Sequence, residues 1–423
     1  MHQESTNRAT FGDVLRIAEF RAIWLAEAQS VAGDQLARVS LAIMVFGRTG
    51  SAALTALVYA LTYVPAIVGG AFLAGIADHF PRRTVMIWCD LIRAALFGLA
   101  AIPRVPLAVI CVLIVVAVLS TSPFSAAESA TMPVILAGDL YVVGVGLRVT
   151  TGQLAQLAGF AGGGVVVAAI GPHWGLAIDA LTFFTSAVLI FRFVKRRPVP
   201  RRENEPVDKP AYWSSMLDGA RIVFSDARLR SLVLLAWLAA FYVVPEGVAP
   251  SYVAAIGGGS GVVGLLMSAD PAGSAIGAGL FVRLVPDRLR ARLIGPLAVL
   301  AGVPLIVCAF KPGVVASFAL LATVGVFSAF QVQASTTFMR IVPDHHRGQA
   351  FGLAQSGLIA VQGLGIAGFG VVADHLGAPR AIALAGGIGI VLALVFGLAW
   401  ERARTVATTP ASRDSAATIA ADR

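Results

Sequence analysis

The sequence predicts an all-α integral membrane protein, with twelve transmembrane helices in two pseudo-symmetric six-helix bundles. Three observations carry this expectation. Of 423 residues, 57% are hydrophobic and 13% charged, against roughly 25% charged in soluble domains. Polar breaks divide the chain into apolar runs of the roughly 20 residues that a helix needs to cross a bilayer core about 30 Å thick. Backbone groups in lipid must bond internally, so such runs read as helices. The longest polar break falls after the sixth run and leaves six on either side.

The first six spans are read at 20–46, 51–75, 84–102, 106–127, 149–170 and 175–194. The second six are read at 230–255, 261–283, 293–310, 313–338, 350–372 and 380–400. Residues 1–19 are polar, with no apolar core before a cleavage site, so no cleaved signal peptide is expected. The bundles cover 20–195 and 230–401. Between them, 196–229 begins as a Pro-rich, charged linker. It continues with Trp213, Met216, Leu217, Ala220, Val223 and Phe224 at helical spacing, an amphipathic helix suited to the membrane interface. The polar, Ala- and Thr-rich stretch 402–423 is expected to be disordered. Cys89, Cys111 and Cys308 lie inside apolar runs, as small hydrophobes do, and suggest no disulfide framework.

Lys and Arg set the orientation. With the N-terminus in the cytoplasm, 26 of the 32 basic residues fall on the cytoplasmic side and only Arg48, Arg104, Lys311 and Arg380 outside. Arg38 and Arg93 lie within spans, and Arg148 is counted in the loop before span five. The net charge of +9 is therefore a topology signal and implies no nucleic-acid partner. The expected location is a bacterial cytoplasmic membrane, multi-pass, with both termini inside.

Ionisable groups inside spans are costly and mark function by default. Glu27, Asp34 and Arg38 on span one are spaced by seven and four, so they share a face with Ser30. That stripe suits a polar path for a proton or substrate. Asp34 and Arg38 as a static pair is the alternative reading. Glu246 stands between Pro245 and Pro250 in span seven, and Asp270 beside Pro271 in span eight. Helix breaks of this kind expose backbone groups that can hold a ligand, although for Asp270 capping the bend is the favoured reading. Gln331 and Gln362 add polar lining to spans ten and eleven, with Gln333, Ser335, Thr336, Thr337 and Gln355. The histidines show no metal-ligand spacing, and neither a phosphate loop nor a catalytic triad occurs. No enzyme activity, metal or cofactor is expected.

The loop layout repeats between the halves. Asp78 precedes Arg83 by five residues after span two, and Asp287 precedes Arg292 by five after span eight. Twelve spans with a six-span pseudo-repeat point to a secondary transporter.

On these residues the chain resembles the major facilitator superfamily, and within it the branch of bacterial macrolide-efflux proteins and the enterobactin exporter. Gly75, Ala77, Asp78, Arg82 and Arg83 fit the family's loop between spans two and three. "DLIRA" supplies Asp90 and Arg93, "AIDALTFFTSA" supplies Asp179, and "VPDHHRGQAFGL" supplies Arg347. "SPFSAAESATMPVI" fits the end of the fourth span. "AQLAGFAGGG" keeps Gly159, Gly163 and Gly164 of the drug-antiporter pattern in span five, but has Ala155 for a Gly and Phe160 for the Pro that bends the helix. The resemblance implies a cytoplasmic gate built on Asp78, Arg82, Arg83, Asp90, Arg93, Asp287 and Arg347. It implies a monomeric transporter that uses the proton motive force to export an amphipathic small molecule such as a drug, antibiotic or siderophore. A lipid or lysophospholipid flippase, and an uptake symporter, are the alternatives of the same fold.

Overall fold

The computed structural model describes residues 10–73, 76–198 and 212–406, and all regular structure among them is helical. Among the described residues, ten helices are long and apolar enough to cross a membrane. They are Ala52–Gly70, Leu107–Ile135, Asp139–Ile170, Pro172–Phe193, Ala227–Gly247, Ser260–Leu284, Asp287–Phe310, Val314–Ile341, Arg347–Leu376 and Ala378–Thr405. Helices Ala18–Thr49 and Arg82–Ala100 take the places of spans one and three. The shorter of these, at about 1.5 Å per residue, still reaches about 28 Å. Charge rather than length sets them apart, for one carries Glu27, Asp34 and Arg38 and the other Asp90 and Arg93.

Five spans are interrupted. Span two breaks between Ala60 and Pro65, and span seven breaks at Leu238, Val243 and Val248. Spans four, eight and ten each break at a serine, Ser120, Ser268 and Ser328. Each of these hydroxyls donates to a carbonyl of its own preceding turn: Ser120 to Val116 O (3.1 Å), Ser268 to Leu265 O (2.7 Å) and Ser328 to Val324 O (3.0 Å). Such local bonds compete with the helical ladder and bend it. Span five, which lacks the family's Pro, runs unbroken for 32 residues.

The five–six and eleven–twelve turns use one device. Gly171 (φ 91°) and Gly377 (φ 82°) take left-handed backbone that a side chain would strain. Pro172 and Pro379 follow at the helix starts, where no N–H partner is needed.

The chain groups into two compact units. The first holds residues up to 207 together with 247–271, and the second holds 208–246 together with 272 onward. The divisions fall inside spans seven and eight. In the first unit, span one packs against spans five and six, and span three against span six. Two apolar clusters fill it. One, around Phe20, Ile23, Met86 and Phe124, lies at the end where span one starts; the other, around Leu41, Val45, Phe97 and Phe183, lies at the end where it stops. In the second unit spans nine and twelve pack together, and Tyr242 Oη donates to Ala298 O at 2.6 Å. The helix expected in the linker is Tyr212–Ser225. Its Gly219 lies so close to span eleven that a Cβ would come within 2.7 Å of Gln349 O, and its Val223 is buried while Leu217 is exposed. The side chains of Trp213 and Met216 lie outside the described residues. Of the stretch 402–423 expected to be disordered, 402–406 instead continue the last helix, Ala378–Val406, and 407–423 lie outside the described residues.

Candidate functional site

Between the apolar clusters of the first unit lies a layer of charge. Span three contributes Asp90 and Arg93, one turn apart and ion-paired, both buried. Ser186 of span six donates to the second oxygen of Asp90 at 2.6 Å. The Arg93 guanidinium is sandwiched between Phe124 and Phe183, 4.6 and 4.3 Å from the ring centroids. Cation–π attraction of this kind strengthens when water is excluded. Asp90 and Arg93 therefore sit eight and eleven residues into their helix, inside the bundle, rather than at the loop where the gating motif begins.

Asp34 lies within the electrostatic reach of Arg93 and Arg38. It also acts on Asp179 of span six, which is fully buried. Gly33 explains how the two helices come so close. A Cβ there would sit 3.1 Å from Thr182 Cγ2, and nearer still to the Thr182 hydroxyl and the Asp179 carboxylate. Asp179 Oδ1 accepts from Thr182 Oγ1 at 3.2 Å. Among the described residues, the buried side-chain atoms without a hydrogen-bond partner are Ser30 Oγ, Arg93 Nε and Asp179 Oδ2. All three belong to spans one, three and six of this unit.

Glu27 does not join Asp34 and Arg38 in one cluster. Arg148 of span five holds it through Nε and Nη2, with Nη2 to Glu27 Oε1 at 2.9 Å. The same Nη2 reaches Glu128 Oε1 of span four at 2.7 Å. Arg148 is thus no loop cation. Span five starts at Asp139, ten residues before the expected start, because two carboxylates neutralise the arginine and let the helix run through it. Arg38 donates to Gln35 Oε1 and Tyr63 Oη, each at 3.0 Å, with its guanidinium 4.3 Å from the Tyr63 ring centroid.

The glycines of span five serve packing. A Cβ on Gly159 would come within 2.9 Å of Ala32 Cα, and one on Gly163 within 3.1 Å of Leu36 Cα. Gly164 meets Gly264 in the same way, at 2.9 Å from its Cα.

The loop arginines close helix ends. Arg82 donates to Ala130 O of span four at 2.7 Å, and Arg83 donates to Ile190 O and Phe191 O of span six. In the second unit Arg290, not Arg292, takes this part, bonding Val282 O and Val285 O and pairing with Asp287. Arg347 pairs with Asp344 at 2.9 Å and donates to Met339 O at 3.2 Å. Gly75 and the side chain of Asp78 lie outside the described residues.

The second unit holds a cavity of about 380 Å³ between spans seven, ten and eleven. Its walls are mostly apolar, with Leu232, Phe338 and Phe351 among them, and its polar groups are Gln331, Ser335, Thr336 and Gln355. Pockets of this size and character suit small molecules. Gln362, seven residues beyond Gln355, is outside this lining. Glu246 is buried at the last break of span seven, and Asp270 is half-buried in the first turn after the break in span eight.

The family model of the Major Facilitator Superfamily matches residues 23–259, more than half of the chain. The chain belongs to the Major Facilitator Superfamily. It is a multi-pass membrane transporter of this superfamily, and its long apolar helices agree. The superfamily member YfiS of Bacillus subtilis (strain 168), an uncharacterised MFS-type transporter, is 26% identical over 353 residues, covering 78% of this chain and 81% of the relative. The nucleoside transporter NupG superposes with a TM-score of 0.65 at 18% identity, over 90% of this chain and 99% of that one. A bacterial homologue of the human lysosomal transporter Spinster gives a TM-score of 0.69 at 13% identity, over 91% and 97%. At these identities the structures share the superfamily fold with this chain.

Sequence reasoning passed over Glu128, Arg148 and Ser186 as site residues, and met Asp179 only as part of a motif. The signal for Glu128 was available, since it is the single carboxylate of an otherwise uncharged span. Arg148 carried no such mark, because loops are where basic residues belong.

Proposed function

We propose that this protein is a proton-coupled secondary exporter of an amphipathic small molecule. It works by alternating access in a bacterial cytoplasmic membrane, with both termini inside and as a monomer, on the efflux side of the superfamily. The observation that carries the reading is the division of labour between the units. The first concentrates carboxyls and arginines where three polar atoms lack partners. The second offers a largely apolar cavity with four polar groups.

Asp34 and Asp179 are the proton carriers in this reading. They sit close together in a desolvated layer, and Asp179 Oδ2 is buried without a hydrogen-bond partner from the protein. A proton placed there changes the attraction of the layer for Arg93 and Arg38, which is how proton binding can favour one conformation over another. Substrate binds in the cavity through its apolar body, oriented by Gln331, Ser335, Thr336 and Gln355.

The test is transport by purified protein in vesicles carrying an imposed pH gradient, with a panel of amphipathic dyes and a fluorescent lysophospholipid as cargo. The expected result is gradient-driven dye movement, lost in both Asp34→Asn and Asp179→Asn while dye binding persists. Gln331→Leu with Ser335→Ala is expected to weaken dye binding about 2–10-fold, the scale of one or two hydrogen bonds. Gradient-driven transport at the wild-type rate in both aspartate variants would remove the proton assignment. Movement of the lysophospholipid in place of every dye would favour a flippase.

A further inference from the structure

A second cavity, of about 330 Å³, opens in the first unit where spans three, four and six reach one end of the bundle. Arg82, Arg83, Lys195 and Arg197 line it, together with Thr131, Val134, Val194 and Pro198. The transport reading places neither the proton nor the substrate in it. The geometry points to a binding site for the phosphate headgroup of an anionic glycerophospholipid.

The charge balance favours an anion. Four cations face the cavity, and among the described residues the acid paired with two of them is Glu19, which accepts from Arg197 Nη1 at 2.7 Å and lies 3.8 Å from Lys195 Nζ. Its carboxyl also accepts from the Lys195 backbone N–H at 3.3 Å. Burial raises the pKa of Glu19, but these hydrogen bonds and the two cations outweigh burial and hold it below its ordinary value. Glu19 is therefore charged at neutral pH and cancels one of the four cations. The rest of the positive charge is preorganised. Arg82 is anchored on Ala130 O of span four and Arg83 on carbonyls in the last turn of span six, leaving other N–H groups of each planar guanidinium to donate. Helix Arg82–Ala100 starts at these two residues with no side-chain cap, so the positive end of its dipole adds to the site.

The apolar surroundings identify a lipid rather than a soluble anion. Val134 and Phe191 are exposed beside the cations, and Arg83 lies 5.0 Å from the Phe191 ring centroid. A headgroup in the cavity would lay its acyl chains along these side chains, which otherwise present bare apolar surface next to a charged pocket. Basic pockets between spans at the membrane surface recognise anionic lipid in this manner.

The experiment is native mass spectrometry of the full chain purified in neutral detergent, titrated separately with phosphatidylglycerol, phosphatidylcholine and inorganic phosphate. Phosphatidylglycerol is expected to be retained in preference to phosphatidylcholine. Each of Lys195→Gln and Arg197→Gln should lower that retention about fivefold, the contribution of one cation near a negative headgroup. Glu19→Gln should act in the opposite direction and raise it, a result that general misfolding cannot produce. Lys311→Gln, exposed and far along the chain from this cavity, should change nothing. Two results would overturn the proposal. One is equal retention of phosphatidylglycerol by wild type and by both cation variants. The other is binding of inorganic phosphate with no preference for phosphatidylglycerol, which would make the site one for a soluble anion. Neither result bears on the dye transport that tests the exporter reading.

Discussion

The two units solve the same packing problem with different chemistry. In the first, Glu19, Asp90, Arg93, Glu128 and Asp179 are all buried; in the second, among the described residues, Glu246 is the single buried carboxyl. The second unit keeps most of its other charges near helix ends, as in the Asp287–Arg290 and Asp344–Arg347 pairs. Buried ion pairs are poor devices for stability, because desolvation consumes most of the Coulomb attraction. A unit held together only for packing would look like the second. The first therefore retains its charges for something packing does not need, and a site that binds and releases protons is such a need.

This contrast can be broken at Arg93, where the largest effect is expected. Arg93→Gln leaves Asp90 buried without its cation and should cost about 3–5 kcal/mol, read by denaturant unfolding of the purified protein. Replacing both partners, Asp90→Asn with Arg93→Met, should recover most of that loss while gradient-driven transport stays absent. Equal destabilisation by the single and double variants would show that the pair is not the reason for the first unit's sensitivity.

Arg148→Gln should come next. It leaves Glu27 and Glu128 facing each other without a cation. The cost should be about 1–3 kcal/mol, below that of a fully buried pair because the Glu27 side chain is 27% exposed and partly screened. Unfolding of the Glu128→Gln with Arg148→Gln double variant checks it, since the double should be the more stable of the two.

Glu19 sharpens the comparison through pH. Its folded pKa is depressed, so its contribution is full above its ordinary value of 4.5 and is lost as the pH falls through the lower folded value. Wild type and Glu19→Gln should differ by less than about 1 kcal/mol at neutral pH, and their unfolding curves should converge toward pH 3, on the acid side of the ordinary carboxylate range.

The smallest effect belongs to the second unit. Asp287→Asn removes an exposed pair with Arg290 and should change unfolding by no more than about 0.5 kcal/mol. A loss as large as that of Arg148→Gln would erase the distinction between the units.

The sequence by itself determined the membrane class and the all-helical fold. Each follows from local composition, since a run of apolar residues must be helical in lipid wherever its neighbours lie. It also marked Asp34, Gln331 and Ser335, because a polar residue inside an apolar run is visible without any contact. Pairing was beyond its reach. Glu27 was grouped with Asp34 and Arg38 by helical spacing, yet its partner is Arg148, 121 residues away and on another helix. Arg148 itself was assigned to a loop, because only a cross-helix carboxylate tells a buried arginine from a surface one. Asp179 and Gly33 matter to each other solely through the approach of spans one and six. The tertiary structure decided these points because electrostatic energy in a low-dielectric interior depends on distance in space, and spacing along one helix reports only one face of that space.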